Sequence, residues 1–463
     1  MDSSKGSTFK VLSVEPVFPG DSRREFLRRS AFLAGGVALS PLVLGFRLGF
    51  GLGSWPTARA GASEPAPATA LPTLDREVEE FMKARAVPGT SLAVLRDGKL
   101  LYAKGYGFAD REKKTPVSTR TRFRIASLSK PITALAAIRL MEERKLTLDG
   151  RAVDLLPQQL RDQAQAAKDP RWKQVTVEQL LHHTGGWDRG KSFDPMFHTG
   201  EIARKLKLRH PPRPSEVIRY MLDQPLDFDP GTQYAYSNFG YCILGRIIER
   251  LTGDGYEEAV RKLLLRPLDA AGMRIGRSLP EQRGAEESLY YERQPSKTRC
   301  IFPDTNRGDV PFPDGGFHLE AMDSHGGWVT TATEYAAILR CVQQPLGGKR
   351  PVLSPESIAG LVSPPPPPVS RTKTGTIEDV YYGLGWQVRR LGNSGKVNLW
   401  HTGSLPGTTS IAVLRWDGFA WVFLANQRSE DAALPDGAID PALHQGVDGV
   451  KSWPDVDLFQ SHV

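Results

Sequence analysis

Ser127-Leu128-Ser129-Lys130-Pro131-Ile132, continued by Leu135, Ala136, Ile138, Leu140 and Met141 up to Glu142, is the stretch on which the fold turns. A run this long that is apolar on nearly every side predicts a helix buried on most of its surface. Proline is tolerated only in a helix's first turn, where amide protons have no intrahelical partner, so Pro131 puts the start close to Ser127. Residues three apart on a helix share a face, which lets a Lys130 amine reach a Ser127 hydroxyl. A serine hydroxyl is a weak nucleophile that needs an adjacent base, and a lysine can be that base once its pKa is pulled toward neutrality. Burial disfavours the ammonium, and the helix dipole opposes positive charge at an N-terminus. Ser129 stands directly beside the lysine and cannot substitute. The competing reading of S-x-x-K is a helix cap followed by a surface lysine, so the motif needs company.

Upstream of this helix, Asp75 to Lys83 has a helical pattern. Ser91–Leu95 and Leu100–Lys104 follow as two short apolar runs joined by Asp97-Gly98, a strong hairpin signal. Downstream, Thr176 with Gln179 three residues on has the spacing of a capping box, and its helix is predicted to stop at Gly185-Gly186. Tyr241, Leu244, Ile248 and Leu251 recur at helical spacing and end near Gly253. The stretch from about Ser278 to Gly326 is polar and rich in Gly and Pro, which predicts loops. Pro364–Pro368 reads as a stiff exposed connector. Leu399-Trp400, Ser410–Leu414 and Ala420–Leu424 read as late strands with a turn at Asp417-Gly418. Early strands, a helical middle and late strands imply an α+β fold in which the two halves of one antiparallel sheet meet after a long helical excursion. The sheet is expected from about 73–126 and 383–428, and the helical part from about 127–345.

The chain has 463 residues, 40% of them apolar and 24% charged, enough for a sizeable core. Its first 60 residues read as an address: Ser22-Arg23-Arg24-Glu25-Phe26-Leu27 is a twin-arginine pattern, followed by an Ala/Gly/Leu-rich stretch from Ala31 to Gly53 and a small-x-small site at Ala58-Arg59-Ala60. Pro41, Arg47 and several glycines make this a poor membrane span, so export is expected, with retention as a membrane anchor the alternative. Residues 61–72 are rich in Ala and Pro and suit a tether. The leader carries +4 of the formal +8, and the remainder is spread thinly, which argues against a nucleic-acid partner. Cys242, Cys300 and Cys341 show no metal-ligand or redox spacing, and buried thiols are expected, one disulfide being permissible outside the cytoplasm.

Two further motifs keep Ser127 and Lys130 company. Tyr236-Ser237-Asn238 follows the turn-forming Pro230-Gly231 and directly precedes a helix. A phenol there could pass a proton to a leaving group, and the Asn238 amide could hold a substrate carbonyl. The alternative is aromatic packing among Tyr234, Tyr236 and Tyr241. His401-Thr402-Gly403-Ser404 lies at the edge of the late strands, where a Ser404 N–H could join the Ser127 N–H in receiving an oxyanion. No G-x-S-x-G elbow is found, and His182-His183 lack the spacing of H-E-x-x-H zinc sites. His183 is expected in a loop lining the cleft.

The ordered set S-x-x-K, Y-S-N and H-T-G resembles that of the class C β-lactamase and D-alanyl-D-alanine carboxypeptidase superfamily of serine hydrolases. Gly105–Asp110, Phe123–Ser127, Leu180–Gly186, Gly326-Gly327 and Tyr382–Trp386 resemble that family's landmarks in the same order, so the likeness covers roughly residues 75–428. It implies an antiparallel sheet flanked by helices, a largely helical subdomain, and a Ser127 acyl-enzyme resolved by water with no metal or other cofactor. The implied catalytic set is Ser127, Lys130 and Tyr236, with Asn238, His401, Thr402, Gly403 and Ser404 binding substrate or oxyanion. The implied substrate is a small molecule or a peptidoglycan peptide, and the compartment periplasmic or extracellular. A literal Lys373-Thr374-Gly375 lies ahead of Tyr382–Trp386, whereas the family places its K-T-G after that segment, so His401 takes the lysine's place. A neutral imidazole holds a carboxylate less firmly than an ammonium. The expectation is therefore an esterase or D-amino-acid peptidase, with a β-lactamase proper or a catalytically inactive envelope binding protein as alternatives.

Overall fold

The computed structural model describes residues 70–343, 352–429 and 433–459. The twin-arginine pattern, its apolar stretch, the cleavage site and most of the tether lie outside the described residues. Helix α1, Pro72–Arg85, starts on the last residue of the Ala/Pro-rich stretch, with Pro72 in its first turn, where no amide proton is missed. Among the described residues no helix is long and apolar enough to cross a membrane.

One eight-stranded antiparallel sheet organises the molecule. Its strands are β1 (Gly89–Arg96), β2 (Lys99–Asp110), β3 (Thr115–Pro116), β4 (Val380–Tyr382), β5 (Gln387–Arg390), β6 (Val397–Leu405), β7 (Thr408–Leu414) and β8 (Phe419–Ala425). Their spatial order is β4-β5-β6-β7-β8-β1-β2-β3. The early and late strands meet where β1 pairs with β8, from Thr90 opposite Ala425 to Arg96 opposite Phe419. Asp97 and Gly98 close the β1–β2 hairpin with φ of 49° and 77°, the left-handed conformation that a two-residue turn of this kind requires.

Both faces of the sheet are covered, which is why its central strands read as continuous apolar runs. Leu92, Val94, Ile411, Val413, Trp421 and Phe423 pack against α1 and the C-terminal helix Ile439–Gly449. Their alternate neighbours, Ala93, Leu95, Ala412, Leu414, Ala420, Val422 and Leu424, face the larger core on the other side. That core is built around helix α2, Ser129–Glu142, in which twelve of fourteen residues are buried.

Three local expectations are corrected. The capping box of Thr176 and Gln179 forms, but helix α3 is only Val177–Leu181, ending four residues before Gly185 because His183 adopts φ 58°. The five prolines are not a bare connector: Pro365 is buried, and its carbonyl oxygen accepts a hydrogen bond from Arg371. The Ser278–Gly326 stretch contains short strands, Lys297–Arg299 paired with Asp309–Pro311 among them. It is anchored by the fully buried Arg124, which donates at 2.8 Å to each of the carbonyls of Pro313 and Arg277 and lies 4.2 Å from the Tyr290 ring centroid. Cys242, Cys300 and Cys341 are buried free thiols.

Candidate active site

Ser127 sits in a 3₁₀ turn, Ala126–Leu128, that feeds α2. The turn holds Ala126 at φ 47°, a left-handed conformation that costs a non-glycine residue about 1 kcal/mol or more. It persists because its surroundings over-determine it. The Ser129 hydroxyl donates to the Ala126 carbonyl at 2.7 Å, and the Ser410 hydroxyl of β7 donates to the Ile125 carbonyl at 2.8 Å. Ser129 is thus a strut for the turn. Gly403 of β6 completes the clamp: a Cβ there would lie 2.2 Å from the Ile125 carbonyl oxygen and 3.1 Å from the Ser127 nitrogen, so strand and turn can meet this closely only at glycine.

Lys130 is fully buried, and its Nζ has three neighbours: Ser127 Oγ at 3.1 Å, Asn238 Oδ1 at 2.7 Å and the His325 carbonyl oxygen at 3.1 Å. Burial pushes its pKa well below the ordinary lysine value, reinforced by the Arg189 guanidinium and opposed by the Asp194 carboxylate. A neutral amine has two N–H groups and one lone pair. The two carbonyl oxygens can accept only, so they take the N–H groups and leave the lone pair for the Ser127 O–H. Asn238 is held the right way round because its Nδ2 donates to Asp194 Oδ2 at 2.6 Å, which turns Oδ1 toward the lysine. Asn238 is the first residue of helix α4, Asn238–Thr252, whose Ser237 cap accepts from the Gly240 N–H and whose end is set by Gly253 at φ 76°.

The Tyr236 phenol lies beside the same hydroxyl at the cleft wall. Its ring centroid lies 4.5 Å from Lys130 Nζ and 5.0 Å from the Arg189 guanidinium carbon. Burial raises the phenol's pKa, so Tyr236 is protonated at neutral pH. The structure therefore brings Ser127, Lys130 and Tyr236 together at one point of the molecule.

These side chains face a cleft of about 430 Å³ whose walls include Asn238, His401, Thr402 and Ser404. Pairing of β6 with β5 stops at Trp400, which leaves the Thr402–Ser404 segment an open edge beside Ser127. His401 is buried and differs from the expectation that it replaces a substrate-binding lysine. Its Nε2 pairs with the Tyr382 hydroxyl at 2.9 Å and its Nδ1 with the Thr402 carbonyl at 2.7 Å, so both nitrogens are engaged within the protein. Burial lowers its pKa to about 3, which keeps it neutral. Lys373 lies exposed in a turn closed by Gly375 N–H to the Thr372 carbonyl, away from the cleft walls.

His183 is also buried, not a lining residue. Its ring lies 4.4 Å from that of Tyr236 and 4.3 Å from that of Tyr382, and its Nδ1 accepts the Ser237 N–H at 3.1 Å. It thereby fixes the segment that carries Tyr236. Sequence reasoning missed Asp194, Arg189 and His325. The Asp194-Pro195 pair is a helix-start signal, and Asp194 does accept the Met196 N–H, but nothing in the spacing shows its second bond to Asn238.

A family model described as Beta-lactamase matches residues 74–444. Over 249 residues the chain is 31% identical to "Esterase EstB" of Burkholderia gladioli, an alignment covering 52% of this chain and 59% of that protein. It is 25% identical to "Protein flp" of Staphylococcus aureus (strain N315) over 77% of this chain and 63% of that one. The chain thus spans about three fifths of the length of these curated relatives. Among solved structures, D-amino acid amidase from Ochrobactrum anthropi SV3 aligns with TM-score 0.60 and 20% identity, over 82% of this chain and 98% of that one, a likeness of fold.

Proposed function

This chain belongs to the Beta-lactamase family, and from that premise we propose that it is a serine hydrolase that cleaves an ester or a D-amino-acid amide through an acyl-enzyme on Ser127. The observation that carries the reading is the buried Lys130 Nζ, 3.1 Å from Ser127 Oγ and flanked by two carbonyl oxygens that can take its N–H groups, with burial pulling its pKa down.

In the first half-reaction Lys130 takes the Ser127 proton as Oγ bonds to the substrate carbonyl carbon. The developing oxyanion is received by the Ser127 N–H and an N–H on the open edge of β6, that of Ser404. When the carbonyl re-forms, the bond to the leaving group breaks, the phenol of Tyr236 passes that group a proton, and Lys130 hands Tyr236 the proton it took from Ser127, so that amine and phenol return to their starting states. In the second, water loses a proton to the same relay, attacks the acyl carbon and releases the acid with Ser127 restored. Ester and amide substrates are favoured because the names of EstB and the D-amino acid amidase carry those activities. Efficient β-lactam hydrolysis is disfavoured, since neither nitrogen of His401 is free to hold a carboxylate. Export by the twin-arginine route, to the periplasm or beyond, is part of the proposal and is checked by N-terminal sequencing of secreted protein.

A fluorophosphonate probe is expected to add to Ser127 in the wild type and not in Ser127→Ala. Failure to label folded wild type, together with no turnover of p-nitrophenyl esters or D-alanyl amides, would sink the reading and favour a non-catalytic binding protein.

The pH dependence has a predicted sign. Acylation needs Lys130 neutral, so kcat/KM rises as pH passes upward through the lysine's lowered pKa. The Arg189 charge helps hold that pKa down. Arg189→Gln is therefore expected to move the acidic limb of the kcat/KM profile to higher pH. A limb that stays put, or moves down, would show that Lys130 is not the group titrating there.

A further inference from the structure

We propose that residues 204–213 form a basic surface that docks the protein on an anionic lipid bilayer, beside the mouth of the cleft. The inference goes beyond the hydrolase reading and does not depend on it.

The charge of the chain is concentrated, not spread thinly as its composition suggests. Of the formal +8, the first 60 residues carry +4, which leaves +4 for all the rest. Residues 204–213 alone hold five Lys/Arg and no acid, so this one segment outweighs the net charge of residues 61–463. It closes the helix Thr199–Leu206 and runs on to the helix Pro214–Met221. Arg204, Lys205, Lys207, Arg209 and Arg213 are all exposed. Cations on another surface stretch have partners, Arg261 with Glu257, Lys262 with Asp254 and Arg266 with Glu258. The side chains of Arg204, Lys205, Lys207 and Arg209 have no ion pair among the described residues, and the flanking acids are engaged elsewhere. Glu201 accepts from the Tyr220 hydroxyl at 3.2 Å, and Glu216 from the Arg213 N–H at 2.7 Å.

Local structure accounts for part of this. Cations in the last turn of a helix complement its dipole, which explains Arg204 and Lys205. It does not explain Lys207, held at φ 56°, a left-handed conformation that glycine adopts freely and a lysine only under strain, nor Arg209 and Arg213 beyond it. Like charges this close repel, so the cluster gains from a partner that supplies many negative charges at once. Half-buried Leu206 and Leu208 alternate with the cations, and Phe197, 40% exposed, precedes the helix by two residues. The headgroup region of a bilayer takes cations and apolar side chains together, whereas a soluble polyanion offers charge alone. Phe197 also lines the cleft, and a helix of eight residues is about 12 Å long, so docking through its basic end holds the cleft mouth close to the lipid.

The test is co-sedimentation of the full chain with vesicles of phosphatidylglycerol and phosphatidylcholine in equal parts, against phosphatidylcholine alone, at low and high salt. Two variants lose the same charge, one in the patch (Arg204→Gln, Lys205→Gln, Lys207→Gly, Arg209→Gln) and one at other exposed lysines (Lys113→Gln, Lys114→Gln, Lys168→Gln, Lys173→Gln). All three proteins share their first 60 residues, so any affinity of that stretch for lipid cancels in the comparison. Circular dichroism establishes that both variants fold. The patch variant is expected to bind the anionic vesicles ~10²-fold or more less tightly than wild type, the other variant to lose less than about tenfold, and high salt to remove the difference. Equal binding by the two variants, or equal binding of wild type to both kinds of vesicle, would overturn the proposal. Binding to soluble polyglutamate with none to the vesicles would overturn it too, in favour of a polyanion.

Discussion

Lys130→Ala is expected to lower the rate of Ser127 acylation by ~10³-fold or more, as happens when one member of a nucleophile–base unit is removed. The hydroxyl would lose the only amine within hydrogen-bond reach among the described residues, and its proton would have to leave to water or to a phenol that is itself protonated. Two carbonyl oxygens, Asn238 Oδ1 and that of His325, would lose their donor, a destabilisation of about 1–3 kcal/mol for each left unsatisfied. That cost is offset in part because a fully buried lysine no longer has to be accommodated. The variant should therefore fold, and circular dichroism should establish this before kinetics are read. Lys130→Arg should be no better, since a guanidinium stays protonated and cannot act as base. The measurement is the pre-steady-state burst of p-nitrophenol with the mass of the adduct. A near-normal burst in folded Lys130→Ala would take the lysine out of the mechanism.

The parts legible in the sequence share a physical reason: each is dictated by local pattern. Helix α2 could be read because burial on all sides leaves an apolar run with a proline at its start, and the β1–β2 hairpin because Asp97-Gly98 is what a two-residue turn demands. Ser127, Lys130 and Tyr236 could be singled out from motif spacing, and the fold then draws them together across the 105 residues of chain between Lys130 and Tyr236. What could not be read depends on long-range partners. Asp194 reaches Asn238 from 44 positions away, and His401 gives both nitrogens to neighbours that no spacing reveals. His183 ends helix α3 early through a left-handed backbone that its tertiary contacts hold, overriding the glycine pair expected to stop it. The Ser278–Gly326 stretch is anchored by the buried Arg124, a residue 154 positions upstream of its nearer end.

Tyr236→Phe should cost ~10²-fold or more with a substrate whose leaving group is a poor one, such as a D-alanyl amide, and much less with a p-nitrophenyl ester. The argument follows from which atom changes. Phenylalanine keeps the ring that stacks on His183 at 4.4 Å and lies 4.5 Å from Lys130 Nζ, so the packing of the site should survive. Only the hydroxyl that touches Ser127 goes, and with it the protonated phenol that burial maintains at neutral pH. An amine leaving group must be protonated as it departs, whereas p-nitrophenolate departs as a stable anion and needs no acid. If the hydroxyl serves proton transfer, the loss scales with leaving-group basicity. If it merely orients Ser127, amide and activated ester fall together. A series of esters graded in leaving-group pKa, assayed on both proteins, separates the two. A flat ratio of wild type to Tyr236→Phe across that series would reduce Tyr236 to a positioning residue and leave Lys130 as the sole proton carrier.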